Sequence, residues 1–222
     1  HGFARAANGT IASFDPPGSM FTDPLGINSR GAVVGYYDDK KSIAHGFLRG
    51  AGGKITVIDF PGAKGGTLAW CINQNGVIAG DYIDAKHVYH GFVRDAGGKF
   101  TSFDAPGAGA KNGQGTYVYG INNDGVITGY FFANAPKMNH GFARAANGTF
   151  TTFDPEGSVG TYSRYINAAG AITGTYLANE YTTDGFARAA DGTIATFSVP
   201  EAAALGTVPT GINASGVIVG TY

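Results

Sequence analysis

HGFARAANGTIASFD, residues 1–15, returns as HGFLRGAGGKITVID at 45–59, HGFVRDAGGKFTSFD at 90–104 and HGFARAANGTFTTFD at 140–154. A fifth version, DGFARAADGTIATFS, fills 184–198. A second module alternates with it: GINSRGAVVGYY (26–37), CINQNGVIAGDY (71–82), GINNDGVITGYF (120–131), YINAAGAITGTY (165–176) and GINASGVIVGTY (211–222). Self-similarity at roughly 45 residues marks a repeat architecture, in which each copy buries its apolar face only against its neighbours.

Each module reads as a β-hairpin. In the first, Asn-Gly, Gly-Gly or Asp-Gly separates short runs rich in Phe, Ile and Thr, which suits a two-residue type I′ turn. In the second, Asn-x-x-Gly precedes a Val-Ile run, as in a longer loop with glycine in the left-handed position. No segment carries a 3.6-residue apolar period, so essentially no helix is expected. Four short strands per copy, five times over, predict an all-β, five-bladed β-propeller filling residues 1–222 as one domain.

The Val-Ile-x-Gly strand is apolar on both faces, as a middle strand should be. The strand ending in Phe-Asp alternates Lys54 and Thr56, or Lys99 and Thr101, with apolar residues, as an outer edge does. The Thr-x-x-x-Gly-Ile-Asn strand is then innermost. On that frame the chain starts at the third strand of a blade and ends after the second. The last blade joins two C-terminal strands to two N-terminal ones; the other frame gives five whole blades without this clasp.

Composition narrows the function. Net charge is −1, with no basic cluster, which argues against nucleic acid or an anionic membrane as partner. No apolar stretch has the length of a membrane helix. Cys71 is the only cysteine, so neither a disulfide framework nor a thiolate metal site is expected. No phosphate loop, nucleophile elbow or metal-ligand spacing occurs, and no cofactor is expected.

Residues that recur in every copy point to scaffold. His1, His45, His90 and His140 each precede an aspartate by the same offset (Asp15, Asp59, Asp104, Asp154), and the fifth copy changes both, to Asp184 and Ser198. A histidine donating to aspartate across adjacent strands is the simplest reading; a general base or metal ligand is the functional alternative. Arg5, Arg49, Arg94, Arg144 and Arg188 suggest a per-blade packing role, and Asn28, Asn73, Asn122, Asn167 and Asn213 cap the turns they open. His87 is the one histidine outside the motif.

The recurrent His-Gly-Phe, Thr-x-Phe-Asp-x-Pro-Gly and Gly-Ile-Asn-x-x-Gly-Val-Ile-x-Gly-x-Tyr resemble the HAF-family extracellular repeat of bacterial proteins, over essentially the whole chain. The resemblance implies a secreted or envelope-associated bacterial β-propeller and carries no catalytic residues to transfer. Asp184, Ser198 and Pro200-Glu201 depart from the pattern in the fifth copy.

Recognition is therefore expected where the copies disagree. Aligned on Thr22, Thr67, Thr116, Thr161 and Thr207, one column reads Leu25, Trp70, Tyr119, Arg164, Thr210 and a second reads Asp23, Leu68, Tyr117, Tyr162, Val208. A third reads Tyr36, Asp81, Tyr130, Thr175, Thr221. Trp70, Tyr117, Tyr119, Tyr162 and Arg164, with Asp23 and Asp81, offer ring faces beside polar groups, which suits a sugar or another small polar ligand. The same aromatics also suit wedges between blades. The long third-copy loops, 105–115 and 132–139 with Met138, are candidate lids. The leading expectation is a lectin-like binding module; a structural or self-associating surface protein and a glycoside hydrolase are the alternatives. The hydrolase needs converging carboxylates, and these columns offer only Asp23 and Asp81.

Overall fold

The computed structural model describes residues 1–134, 139–179, 181–200, 202 and 206–222. Its named elements are all strands, and among the described residues no helix is long and apolar enough to cross a membrane. By internal contacts the chain divides into two compact units, His1–Phe103 and Asp104–Tyr222.

The first unit opens with the hairpin β1 (Gly2–Arg5) and β2 (Ile11–Phe14). Two four-stranded antiparallel meanders follow. One is β3 (Phe21–Ile27), β4 (Val33–Asp38), β5 (Ala44–Arg49) and β6 (Ile55–Val57). The other is β7 (Gly66–Ile72), β8 (Ile78–Ile83), β9 (Tyr89–Arg94) and β10 (Phe100–Phe103). The second unit repeats the plan with β11 (Gly115–Ile121), β12 (Ile127–Phe132), β13 (Asn139–Arg144) and β14 (Phe150–Phe153). Then come β15 (Gly160–Ile166), β16 (Ile172–Leu177), β17 (Thr183–Arg188) and β18 (Ile194–Phe197). It ends in the hairpin β19 (Val208–Ile212) and β20 (Ile218–Thr221). Each meander runs from the Gly-Ile-Asn strand to the Phe-Asp strand. β1–β2 thus match third and fourth strands, and β19–β20 first and second.

Burial follows the residue pattern. Middle strands carry the core, and Phe47, Phe92, Phe142 and Phe186 are 0% exposed. Fourth strands are the exposed edges, with Thr56, Thr101 and Thr151 facing solvent. Arg49 lies over the Phe14 ring and Arg188 over Phe153, with Cζ 4.8 and 4.9 Å from the centroids, so these repeated arginines pack on aromatic faces.

The turns of the first module differ from the type I′ expectation. In 6–10, the Gly9 amide donates to the Ala6 carbonyl at 2.9 Å and Ala6 donates to Thr10 at 2.8 Å, with Gly9 at φ +92°. Asn8 is not in the left-handed region, so this is a three-residue loop closed by a glycine bulge. Asn-Gly fits it because only the glycine needs positive φ. The second module has the glycine loop expected of it, and Asn28 Oδ1 accepts from the amides of Arg30 and Ala32, both at 3.1 Å.

Two of the histidine–aspartate pairs are structural ties with a threonine as third member. His1 Nδ1 lies 2.5 Å from Asp15 Oδ2, while Thr22 Oγ1 donates to Asp15 Oδ1 at 2.7 Å. His140, Asp154 and Thr161 repeat this at 2.6 and 2.5 Å. Since the threonine opens the next meander, each triad links consecutive sheets. In the fifth copy Ser198 Oγ donates to the Asp184 carboxylate, so the paired substitution preserves a bond.

Candidate functional site

The candidate residues other than Asp81, which lies on the second strand β8, sit on the first strand of each meander, where period-2 alternation sorts them. In β15, Thr161 and Ser163 are buried while Tyr162 and Arg164 are partly exposed. In β11, Thr116 and Val118 are buried while Tyr117 and Tyr119 are partly exposed. In these strands the two first-strand columns therefore occupy the accessible face and the repeated threonines the packed one, while Asp81, Tyr130 and Thr175 of the third column are buried.

A second feature distinguishes the column Leu25, Trp70, Tyr119, Arg164, Thr210. In β11 the pairing with β12 runs Val118↔Gly129 and then Gly120↔Thr128, so the register steps over Tyr119. The same skip falls at Leu25, Trp70, Arg164 and Thr210. Each is the extra residue of a β-bulge, a device that bends a strand and re-aims one side chain. The bulge also explains the glycine of Val-Ile-x-Gly. A Cβ at Gly35, Gly80, Gly129, Gly174 or Gly220 would overlap the carbonyl oxygen of Asp23, Leu68, Tyr117, Tyr162 or Val208 respectively.

In the second unit these side chains converge. Tyr130 is their hub, although the sequence presents it only as one member of a variable column. Its ring stacks on Tyr117 (centroids 5.2 Å, interplanar 11°) and on Tyr119 (5.4 Å, 16°). Tyr162 meets it edge-on at 5.0 Å, and the Tyr119 and Tyr130 hydroxyls are 3.3 Å apart. Arg164 caps the column, its Cζ 5.0 Å from the Tyr119 centroid. The 105–115 loop is tied down at its edge: Gly109 donates to the Phe132 carbonyl at 2.6 Å, Gln114 Nε2 to Ala133 at 3.2 Å, and Tyr117 Oη to Gly113 at 2.9 Å. It frames the tyrosines with a fixed edge. Residues 135–138, which include Met138, lie outside the described residues.

In the first unit Tyr36 stands between Phe21 (6.1 Å) and Trp70 (6.4 Å), opposite Asp23 in the ladder. Burial, and then the carboxylates of Asp23 and Asp38, push the Tyr36 hydroxyl pKa up, so it is a neutral donor at physiological pH. Asp81 is 1% exposed, behind the accessible face. Its charge adds to the burial that raises the Tyr89 pKa, and Cys71, its thiol pKa raised chiefly by burial, is an inert neighbour. His87 is an exposed loop residue at φ +59°. Among the described residues, no group of three or more His, Cys, Asp or Glu side chains is arranged to hold a metal ion.

No protein-family model matches the chain, and the comparison with curated proteins returns no match either. Among solved structures it is similar to selenomethionine-substituted virginiamycin B lyase from Staphylococcus aureus. The TM-score is 0.54 at 16% identity, over 89% of this chain and 69% of that one. That protein is a β-propeller, and the likeness is one of fold. The chain is thus an all-β protein of antiparallel meanders with a propeller as its structural neighbour.

Proposed function

We propose that the chain is an extracellular, lectin-like binding module that recognises a carbohydrate with the accessible face of its first strands. The observation that carries this reading is the bulge column: one position per repeat that the ladder register steps over, occupied by Leu25, Trp70, Tyr119, Arg164 or Thr210. A position skipped by the ladder register can vary without harm to the scaffold. The partly exposed rings of Tyr117, Tyr162 and Trp70 supply apolar surface for sugar C–H groups, and Asp23 and Arg164 supply hydrogen bonds.

The finer fold that goes with this reading is a single five-bladed ring of HAF-type repeats. In it β20 pairs with β1 to complete a blade, and the first strands are innermost. Secretion or envelope association follows from the repeat resemblance. A hydrolase reading gains nothing from Asp81, whose burial removes one of the two acids it needs.

A glycan array probed with the full chain tests the proposal. Retained glycans should be lost in Trp70→Ala or in Tyr119→Ala while both variants keep the parent far-ultraviolet dichroism. Self-association with no glycan retained would overturn it in favour of a surface-assembly protein.

A further inference from the structure

We infer that the saccharide bound at the tyrosine column is acidic, with the carboxylate of a uronic acid paired to Arg164. This rests on the carbohydrate reading above and narrows it to a ligand class. Arg164 differs from the five arginines of the repeat. Arg144 and Arg188 donate from Nη1 to the carbonyls of Ala145 and Ala189, at 3.4 and 3.3 Å, and Arg188 is only 9% exposed. Arg164 instead stands at a bulge, partly exposed, with its guanidinium against the Tyr119 ring. Among the described residues it makes no hydrogen bond or ion pair.

The strands that border it deepen the imbalance. β11, β12, β15, β16 and β19 carry no aspartate or glutamate. A guanidinium on an aromatic surface is partly stripped of water, and an incoming carboxylate would meet its planar fork with two parallel hydrogen bonds. The partly exposed rings of Tyr117 and Tyr162 border the same column and offer apolar surface to a pyranose. A neutral sugar uses the rings and leaves the charge unanswered; a uronic acid answers both.

Calorimetric titration of the full chain with a galacturonate trisaccharide and its neutral galactose counterpart, at low and high salt, tests this. The acidic sugar should bind about tenfold more tightly at low salt, a preference that shrinks as salt screens the pair. Arg164→Gln should weaken the acidic sugar far more than the neutral one and so bring their affinity ratio to about one, and Arg164→Lys should restore part of that ratio by charge without the fork. Equal binding of the two sugars, or a preference that survives Arg164→Gln, overturns the inference and leaves the carbohydrate reading standing. Binding of neither sugar overturns the inference, and the carbohydrate reading then rests on the glycan array.

Discussion

Ser42 and His87 occupy the left-handed position that glycine fills in the ten repeated hairpin loops, at φ +58° and +59°. An L side chain there crowds the following carbonyl at a cost of roughly 1–2 kcal/mol, part of which the lower chain entropy of a non-glycine residue offsets. Ser42→Gly and His87→Gly should each stabilise the protein by about 0.5–1 kcal/mol in urea unfolding. The aspartates that open these loops make a second prediction. Asp39 Oδ1 accepts from the amides of Lys41 and Ile43 at 2.7 and 3.0 Å, and Asp84 Oδ1 from Lys86 and Val88 at 2.7 and 2.9 Å. Those amides, those of Ile43 and Val88 foremost, hold both carboxyls below the ordinary carboxylate range. A depressed folded pKa contributes stability that is present above the unfolded value near 3.9 and lost as pH falls through the lower folded one. Unfolding free energy should therefore drop below about pH 4, and the Asp39→Asn, Asp84→Asn double variant should show a shallower drop over that range.

The bulged first strand makes its own demand on its partner. With the Tyr117 carbonyl leaning into the space beside Gly129, a methyl group at 129 forces the ladder apart. Gly129→Ala should cost on the order of 3 kcal/mol or more in thermal or urea unfolding, whereas Gly113→Ala, where a Cβ meets nothing within 4 Å, should cost only its φ of +74°. This element also shows what the sequence could and could not convey. Recurring His-Gly-Phe and Gly-Ile-Asn motifs locate all twenty strands, because alternation and turn residues write strand boundaries directly into composition. The bulge is not legible in that way, since it is defined by a missing partner across the ladder and only pairing reveals which residue is skipped. Its trace is indirect: a variable position such as Tyr119 facing an invariant glycine such as Gly129. The Asn-Gly dipeptide misleads for a related reason, because a two-residue and a three-residue loop both accept it and the flanking register decides. Tyr130 falls between these cases: its column is visible in the sequence, but its place as hub depends on β11 and β15 bringing Tyr117, Tyr119 and Tyr162 to one point.

At the scale of the whole molecule, the two hairpins β1–β2 and β19–β20 carry side chains that the complete meanders bury. Phe3 is 65% exposed where Phe47, Phe92, Phe142 and Phe186 are 0%, and Val219 is 63% exposed where Val34, Ala79, Thr128 and Thr173 are buried. Second and third strands keep one register throughout: Val34↔Leu48, Ala79↔Val93, Thr128↔Ala143 and Thr173↔Ala187. Extended to the hairpins, that register sets Val219 opposite Ala4 and Gly220 opposite Phe3. In the proposed ring closure that pairing would bury both apolar faces and leave no unpaired edge between them. Cysteines at 4 and 219 in a Cys71→Ser background, made by Ala4→Cys and Val219→Cys, should form an intramolecular disulfide in the monomer under mild oxidation. Closing a loop of that length should stabilise the protein by up to roughly 4–5 kcal/mol against urea, an effect that reduction removes. Moving one cysteine a single position along its strand, to Phe3→Cys, points its side chain to the other face and should slow the crosslink sharply. Mass spectrometry of the oxidised monomer discriminates the outcomes: a 4–219 bond supports closure by β1 and β20 in this register, whereas disulfide-linked dimers alone would show that each hairpin seeks its partner on another molecule.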